Sequence, residues 1–445
     1  MTKYESENLT VFEYSSVSLE QLRNESENHT TDFIDLLEQW QKGNNEVLSV
    51  NEKKERKAFF KIGNKEIIFQ QYVGVLKIGN VTIEVLPKID KSVKNVNVWQ
   101  NVLLNMLQTV QNLDIRPTNN ADINIEKSVV LQFYFNWFIN EVNLLMHEGL
   151  IKKYVQKTEN RTALKGRLQL QKHIQNNVIH AERFYVTYND YNHNHIYNGL
   201  LKQCLEVIER IADESSVKAS AASVLNWFPV CDKVKVSEAV FDRLVYHRKT
   251  ERYRTAIKIA KIILLKYHPD LQGGKHDVIA IMFDMNKLWE QYVLSKLQEV
   301  YNNDYLFKGQ EQKRFWCSID KNGKEKSYKT VRPDIVANTK KDNKVAFVID
   351  TKWKIIDEEL DKNVSDGDLK QMFVYNKLWG CKESYLLYPY SCEGIESERG
   401  RFIGEGEEGN CSTIKINILK GDSLDDSVWG ELMKKIIEKC NLAVY

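Results

Sequence analysis

Apolar and polar positions follow different periods along the 445 residues. Between 66 and 89 they alternate in strand fashion: Glu66-Ile67-Ile68-Phe69, then Tyr72-Val73-Gly74-Val75-Leu76-Lys77-Ile78, then Val81-Thr82-Ile83-Glu84-Val85-Leu86. Gly79-Asn80 separates two β-branched runs, and such a dipeptide accommodates the left-handed conformation of a two-residue hairpin turn. The spacing changes to that of helices over 98–113 and again over 126–148, with Trp137, Phe138 and Leu144 as buried candidates. Further on, the pattern predicts a helix over 276–300, strands at 330–336 and 344–353, a helix over 366–378 and a short apolar strand at 384–388. That α-β-β-α-β order suggests an α/β sandwich around a small mixed sheet. The expected fold class is α+β and multidomain. A β-rich N-terminal domain (1–115) precedes a mixed, mostly helical middle region (116–274) and a C-terminal α/β domain (275–445).

Composition changes this picture in two places. The 42% hydrophobic and 28% charged content is that of a globular chain and excludes a disordered one. Lys and Arg number 63 against 61 Asp and Glu, a net charge of +2, which excludes a uniformly basic nucleic-acid binder. The balance conceals local excesses. The stretch to Glu38 holds nine acidic residues against Lys3 and Arg23, whereas 233–276 holds eleven basic residues against four acidic ones. Aromatic Phe241, Tyr246, Tyr253 and Tyr267 are interleaved there. The basic stretch reads either as a solvated helix face or as a surface for the DNA backbone, with Arg248, Lys249, Arg252 and Arg254 on the phosphates.

Seven scattered cysteines without a Cys-x-x-Cys fit neither a disulfide framework nor a zinc site, and His193 with His195 finds no further ligands nearby. The first residues carry no apolar signal core, and the most apolar helical stretch, 129–139, is far too short to span a bilayer. A cytoplasmic protein without membrane contact is expected.

The chemistry concentrates in Arg332-Pro333-Asp334-Ile335-Val336 and in Val345-Ala346-Phe347-Val348-Ile349-Asp350-Thr351-Lys352. Alternation puts Asp350 and Lys352 on the face of Ala346 and Val348, with Val345, Phe347 and Ile349 on the other. A strand apolar on both faces thus ends in an acid and a base, which is costly unless they are paired or bound to a metal. A hairpin would return Asp334 beside them. Two converging carboxylates suit a hard cation such as Mg²⁺, and a lysine beside them can orient water and offset phosphate charge. The acid-x-Lys triplet alone carries little, since Glu52-Lys53-Lys54, Asp342-Asn343-Lys344 and Asp368-Leu369-Lys370 match it too.

Together with its flanking helices, this arrangement resembles the PD-(D/E)xK nuclease superfamily. The resemblance implies a further acidic metal ligand on the preceding helix, Glu290, with Asp284 as its competitor. It also matches Gln371 and Tyr375 to the Gln-x-x-x-Tyr element of RecB-like members, which supports substrate or catalytic groups; a core-facing Tyr375 is the alternative. A narrower resemblance spans some 300 residues. Tyr72 to Ile89, Leu164-Lys165-Gly166-Arg167-Leu168, His173-Ile174, Asn177, Asn198, Leu201-Lys202, Met285 to Glu290, Arg332-Pro333-Asp334 and Asp350-Thr351-Lys352-Trp353-Lys354 are similar, in order, to the McrC family of restriction nuclease subunits.

That resemblance implies Mg²⁺ held by Glu290, Asp334 and Asp350 with the Thr351 carbonyl, and Lys352 activating water. It implies double-stranded, methylated DNA as substrate and an McrB-like hexameric AAA+ GTPase as partner, bound through the N-terminal part. The chain has no Gly-x-x-x-x-Gly-Lys-Ser/Thr, so GTP would be bound by the partner. Two alternatives remain at this point: a non-cleaving adaptor that activates a AAA+ ring, and a self-sufficient RecB-like nuclease.

Overall fold

In the computed structural model the alternating segment forms an antiparallel pair, Tyr72–Ile78 with Val81–Leu86, Ile78 standing opposite Val81. The residues described are 7–18, 59–63, 66–79, 81–87, 96–110, 129–268, 277–354, 364–390, 394–403, 409–421 and 423–442. Gly79 takes the left-handed φ of 57° that the tight turn demands. Most of the acidic N-terminal stretch, the Lys88-Ile89 end of the family signature and Lys275 lie outside the described residues. Part of that acidic stretch, Glu7–Phe12, is a strand that runs parallel to Val81–Leu86, an element its polar composition concealed.

The other edge of this sheet departs from expectation. Residues 278–284 were expected to open a helix; Val278–Asp284 is instead a strand, antiparallel to Tyr72–Ile78, and the helix begins only at Met285. The run Val278-Ile279-Ala280-Ile281-Met282 is apolar at every position and buried on both faces, so its side chains carry no periodicity that separates strand from helix. Strand order in the five-stranded sheet is Glu7–Phe12, Val81–Leu86, Tyr72–Ile78, Val278–Asp284, Tyr267–His268.

Helices Val96–Val110, Val129–His147, Ile196–Ile211, Ser215–Trp227 and Arg254–Lys266 contribute to one continuous core. Glu84 fastens the hairpin to them: its carboxylate accepts from Gln100 Nε2 (2.5 Å) and from the Val130 amide (3.0 Å) near the start of a helix. Trp137 and Phe138 are buried as expected. Leu144 is 53% exposed, because Phe138, Val142 and Leu145 define the inward stripe and Leu144 lies off it. The middle region also holds a three-stranded sheet of Lys153–Arg161, Phe184–Asn192 and Arg167–Leu168. No described helix is long and apolar enough to cross a membrane.

The C-terminal part is a sandwich. Its six strands run in the order Tyr305–Gly309, Ile335–Thr339, Val345–Thr351, Glu383–Tyr390, Asn410–Asn417, Ile395–Arg401; the pairs Val345–Thr351/Glu383–Tyr390 and Glu383–Tyr390/Asn410–Asn417 are parallel. Helices Met285–Tyr301 and Ser427–Leu442 cover the face of Phe347, Ile349 and Tyr385. Helix Asp366–Trp379 covers the face of Val336, Val348 and Leu386 through Met372, Tyr375 and Trp379. The strand expected at 330–336 is broken in two, Glu325–Val331 and Ile335–Thr339, and the break holds Pro333, which has no N–H for a ladder. A register shift skips Ala346, with Phe347 opposite Ala337 and Val345 opposite Asn338. Val345 therefore packs on the side of Val348, and Ala346 on the other, the reverse of simple alternation.

Candidate active site

The helix that carries Glu290 starts at an aspartate. Asp284 caps it, its carboxylate accepting the Asn286 amide at 3.1 Å, and this N-capping role separates Asp284 from the site. Glu290 points toward the sheet, where Gln310 Nε2 donates to its Oε1. The same Gln310 Nε2 lies 3.4 Å from Asp334 Oδ1, so one amide group bridges the two acids. Gln310 adopts a left-handed φ of 57° at the end of strand Tyr305–Gly309, and its own amide donates to the Asp334 carbonyl (3.0 Å).

Asp334 sits at the break between strands. Its Oδ2 accepts the Thr351 amide at 2.7 Å and the Thr351 hydroxyl at 2.9 Å, which clamps the two strands together at this end. Thr351 thus serves Asp334 through its N–H and hydroxyl. Asp350, 2% exposed, pairs through Oδ2 with Lys352 Nζ at 2.6 Å. Lys352 also lies 3.5 Å from Asp368, which Lys354 approaches at 3.7 Å.

Burial governs the charges here. It pushes Asp350 up to about 7, with the charge of Asp334 adding and Lys352 opposing. Burial and then the charge of Glu290 push Asp334 up to about 6 against the Thr351 hydrogen bonds. Glu290 is raised as well, by burial, against the Gln310 hydrogen bond. Burial alone would lower Lys352, but Asp350, Asp368 and Asp334 outweigh it and hold the ammonium above its ordinary value. Asp334 thus feels Glu290 and Lys352, and Asp350 feels Asp334, Lys352 and Asp368.

Gln371 and Tyr375 lie one turn apart on helix Asp366–Trp379. The Gln371 amide donates to the Tyr375 hydroxyl, which donates to the Arg332 carbonyl at 2.9 Å. Tyr375 is core-facing, yet its hydroxyl fixes the backbone two residues before Asp334.

Sequence reasoning missed Gln310 and Asp368. Gln310 carries no motif. Asp368 belongs to one of the acid-x-Lys triplets set aside as uninformative, and its place in the first turn of a helix after Ser365 was the available signal.

The basic stretch divides. Arg248 and Lys249 are exposed. Arg252 is engaged with the Glu148 and Gly149 carbonyls and with the Glu148 carboxylate (3.2 Å), at the end of helix Val129–His147. Arg254 forms two hydrogen bonds with Glu251 (2.6 and 3.0 Å) and lies over the Tyr246 ring.

Among the described residues, no three His, Cys, Asp or Glu side chains come together in a geometry that would hold a metal ion. Glu290 and Asp334 are bridged by an amide, and Asp350 is engaged by a lysine. The donor chemistry still suits a hard cation. Three carboxylates of raised proton affinity lie at one end of a sheet, an excess of negative charge that a divalent ion would relieve.

A family model for the McrBC 5-methylcytosine restriction system component matches residues 67–389. Two solved structures from Thermococcus gammatolerans share the fold. A chain of the refined half-complex from the tetradecameric assembly of McrB AAA+ hexamers with bound McrC aligns at a TM-score of 0.70 with 15% identity, covering 96% of this chain and all of that one. A chain of the McrBC complex determined by cryo-EM aligns at 0.50 with 17% identity, covering 65% of this chain and 87% of that one. No curated protein matches. With the family model spanning most of its length, this chain belongs to the McrBC 5-methylcytosine restriction system components and has a McrC-like fold.

Proposed function

We propose that this chain is the DNA endonuclease subunit of a GTP-dependent, modification-dependent restriction complex, hydrolysing phosphodiester bonds in methylated double-stranded DNA. The observation that carries this reading is the convergence of Glu290, Asp334 and Asp350 with Lys352 at the ends of two adjacent strands and one helix. Glu290, Asp334 and Asp350, with the Thr351 carbonyl, would hold Mg²⁺. Once bound, the ion supplies positive charge to the attacked phosphate.

The chain's own groups do the rest. Thr351 and Gln310 fix the orientation of Asp334. Lys352, partly open to solvent and tied to Asp350, orients the attacking water and offsets charge that develops on the phosphate. Tyr375, with Gln371, keeps the Arg332-Pro333-Asp334 backbone in place. Arg248 and Lys249, with Arg252 and Arg254 to the extent their internal partners release them, are proposed contacts to the DNA backbone. The partner is an McrB-like hexameric AAA+ GTPase. Support comes from the McrB AAA+ hexamers with bound McrC in one Thermococcus assembly, from the McrBC complex in the other, and from the lack of a Gly-x-x-x-x-Gly-Lys-Ser/Thr in this sequence.

The bridged and ion-paired state of the carboxylates favours examining one second reading, an adaptor that activates the AAA+ ring without cutting. Supercoiled methylated DNA incubated with the chain, Mg²⁺, GTP and the partner separates the two. The nuclease reading predicts nicking and linearisation, reduced on the order of 10²–10⁴-fold by Lys352→Ala. Stimulated GTP hydrolysis without cutting by the wild type would establish the adaptor instead. Cutting without nucleotide or partner would mark a self-sufficient nuclease.

A further inference from the structure

Among the described residues, strands Lys313–Ile319 and Glu325–Val331 pair only with each other and stand apart from the six-stranded sheet. Only the base of this ribbon is packed. Lys313 Nζ donates to the Leu378 carbonyl (3.0 Å) and lies over the Trp379 ring, and Val331 joins the core beneath helix Asp366–Trp379. Above the base, all of residues 321–330 are exposed. A two-stranded ribbon without a backing layer is marginally stable in water. This one nonetheless presents Phe315 and Trp316, each 50% exposed, Ile319 at 66% and Tyr328 at 40%.

Its shape is well specified. Asp320 turns the tip: its carboxylate accepts the Asn322 and Lys324 amides (2.8 and 2.9 Å), and Gly323 supplies a φ of 76°. Ser318 and Ser327 hydroxyls join across the pair at 2.7 Å, and Arg314 stacks over the Tyr328 ring at 3.9 Å. From 313 to 332 there are seven Lys or Arg against Asp320 and Glu325. Both acids are spent at or near the tip: Asp320 in the turn, Glu325 as acceptor of the Tyr328 hydroxyl (2.7 Å).

Its roots are at the catalytic acids. Gln310, which bridges Glu290 and Asp334, lies three residues before the first strand; Asp334 lies three residues after the second. We infer that this ribbon is a duplex-DNA-binding element, a basic, aromatic β-ribbon that enters a groove and delivers the adjoining phosphates to Asp334 and Asp350. Charge complementarity selects a polyanion over a protein surface. Seven residues per strand extend roughly 20 Å, enough to lie along about six base pairs, and a major groove about 12 Å wide admits a two-stranded ribbon. Lys324, Lys326 and Lys329 engage phosphates, and Trp316 with Phe315 packs on sugars and base edges. The inference rests on the proposed nuclease function and supplies the substrate contact for that site.

The test measures binding apart from cutting. The full-length chain is titrated onto a short labelled duplex in EDTA at several salt concentrations, as wild type, as Lys324→Ala/Lys326→Ala/Lys329→Ala, as Trp316→Ala and as Asp350→Asn. The triple variant should bind at least about tenfold more weakly, with a slope of log affinity against log salt shallower by about 2 to 3. Trp316→Ala should weaken binding with an unchanged slope. All three substituted lysines are solvent-exposed, so an unaltered melting curve will accompany the loss. Wild-type affinity and slope in the triple variant, or no duplex binding by the wild type, would overturn the ribbon. So would loss of AAA+ partner binding with duplex binding intact. Asp350→Asn keeps the ribbon and should bind duplex as wild type does; undiminished cutting by this variant with Mg²⁺, GTP and the partner would overturn the proposed active site while the ribbon stands.

Discussion

At the scale of single residues, the site is a balance of burial against charge, and that balance is titratable. Asp334 and Asp350 have folded pKa values raised to about 6 and about 7, above the ordinary carboxylate value of about 4. An acid raised in this way favours folding while it keeps its proton. The contribution is complete below about pH 4 and is lost as pH rises through about 6 and 7. In chelator-treated protein the melting temperature of the wild type should therefore fall relative to that of Asp350→Asn between about pH 4 and 7.5. Added Mg²⁺ should raise the melting temperature at about pH 7.5 and much less at about pH 5, where the acids hold protons. Differential scanning fluorimetry reads all of this, and equal Mg²⁺ effects at both pH values would count against the carboxylates as ligands. Tyr375→Phe removes only the hydroxyl bonded to the Arg332 carbonyl. It should cost about 1 kcal/mol in urea unfolding and lower the cleavage rate with duplex affinity unchanged. Alternation along Val345–Thr351 put Asp350 and Lys352 on one face, whereas Asp334, at a strand break, was reached only through the expected hairpin. Gln310 and Asp368 were not readable, since they reach the site from a strand end and a helix start that meet it only in three dimensions.

Whole elements were legible where periodicity was distinct and failed where it was absent. The hairpin of Tyr72–Ile78 and Val81–Leu86 followed from alternation and a Gly-Asn turn, and helix Asp366–Trp379 came within a residue of its expected end. Strand Val278–Asp284 was taken for helix because uniform burial erases the pattern, and Glu7–Phe12 was missed because its polar residues hide a strand at the sheet edge. The sequence did hold one clue to the first of these. Gly74 takes a φ of +132°, and a Cβ there would stand 2.1 Å from the Ile281 carbonyl oxygen. A glycine inside an otherwise β-branched strand marks a close approach by another backbone, here that of the misread strand. Gly74→Ala should destabilise the protein by more than about 2 kcal/mol, seen as a lower urea midpoint or as insoluble protein. A stability equal to wild type would mean the two strands are not so close.

Across the whole molecule, the N-terminal sheet and the C-terminal sandwich are joined by continuous chain and by buried polar contacts. Strand Val278–Asp284 of the first runs without a linker into helix Met285–Tyr301, which carries Glu290 of the second, and the Met285 amide donates to the Gln71 carbonyl. Trp353, one residue beyond Lys352, donates its indole N–H to Glu13 at 2.6 Å and packs against Trp289. A partner seated on the N-terminal part would therefore act on a structure already coupled to the site. Net charge, near zero overall, conceals this organisation: Glu290, Asp334 and Asp350 gather at one end of the six-stranded sheet while basic residues line the ribbon beside it. The central claim is that those acids cut DNA. The most direct measurement is strand scission of methylated duplex DNA by the chain with Mg²⁺, GTP and a McrB-like partner, comparing wild type with Asp350→Asn. The account predicts cutting by the wild type and a loss on the order of 10²-fold or more in the variant, with duplex binding retained. Equal cutting by both proteins would contradict it.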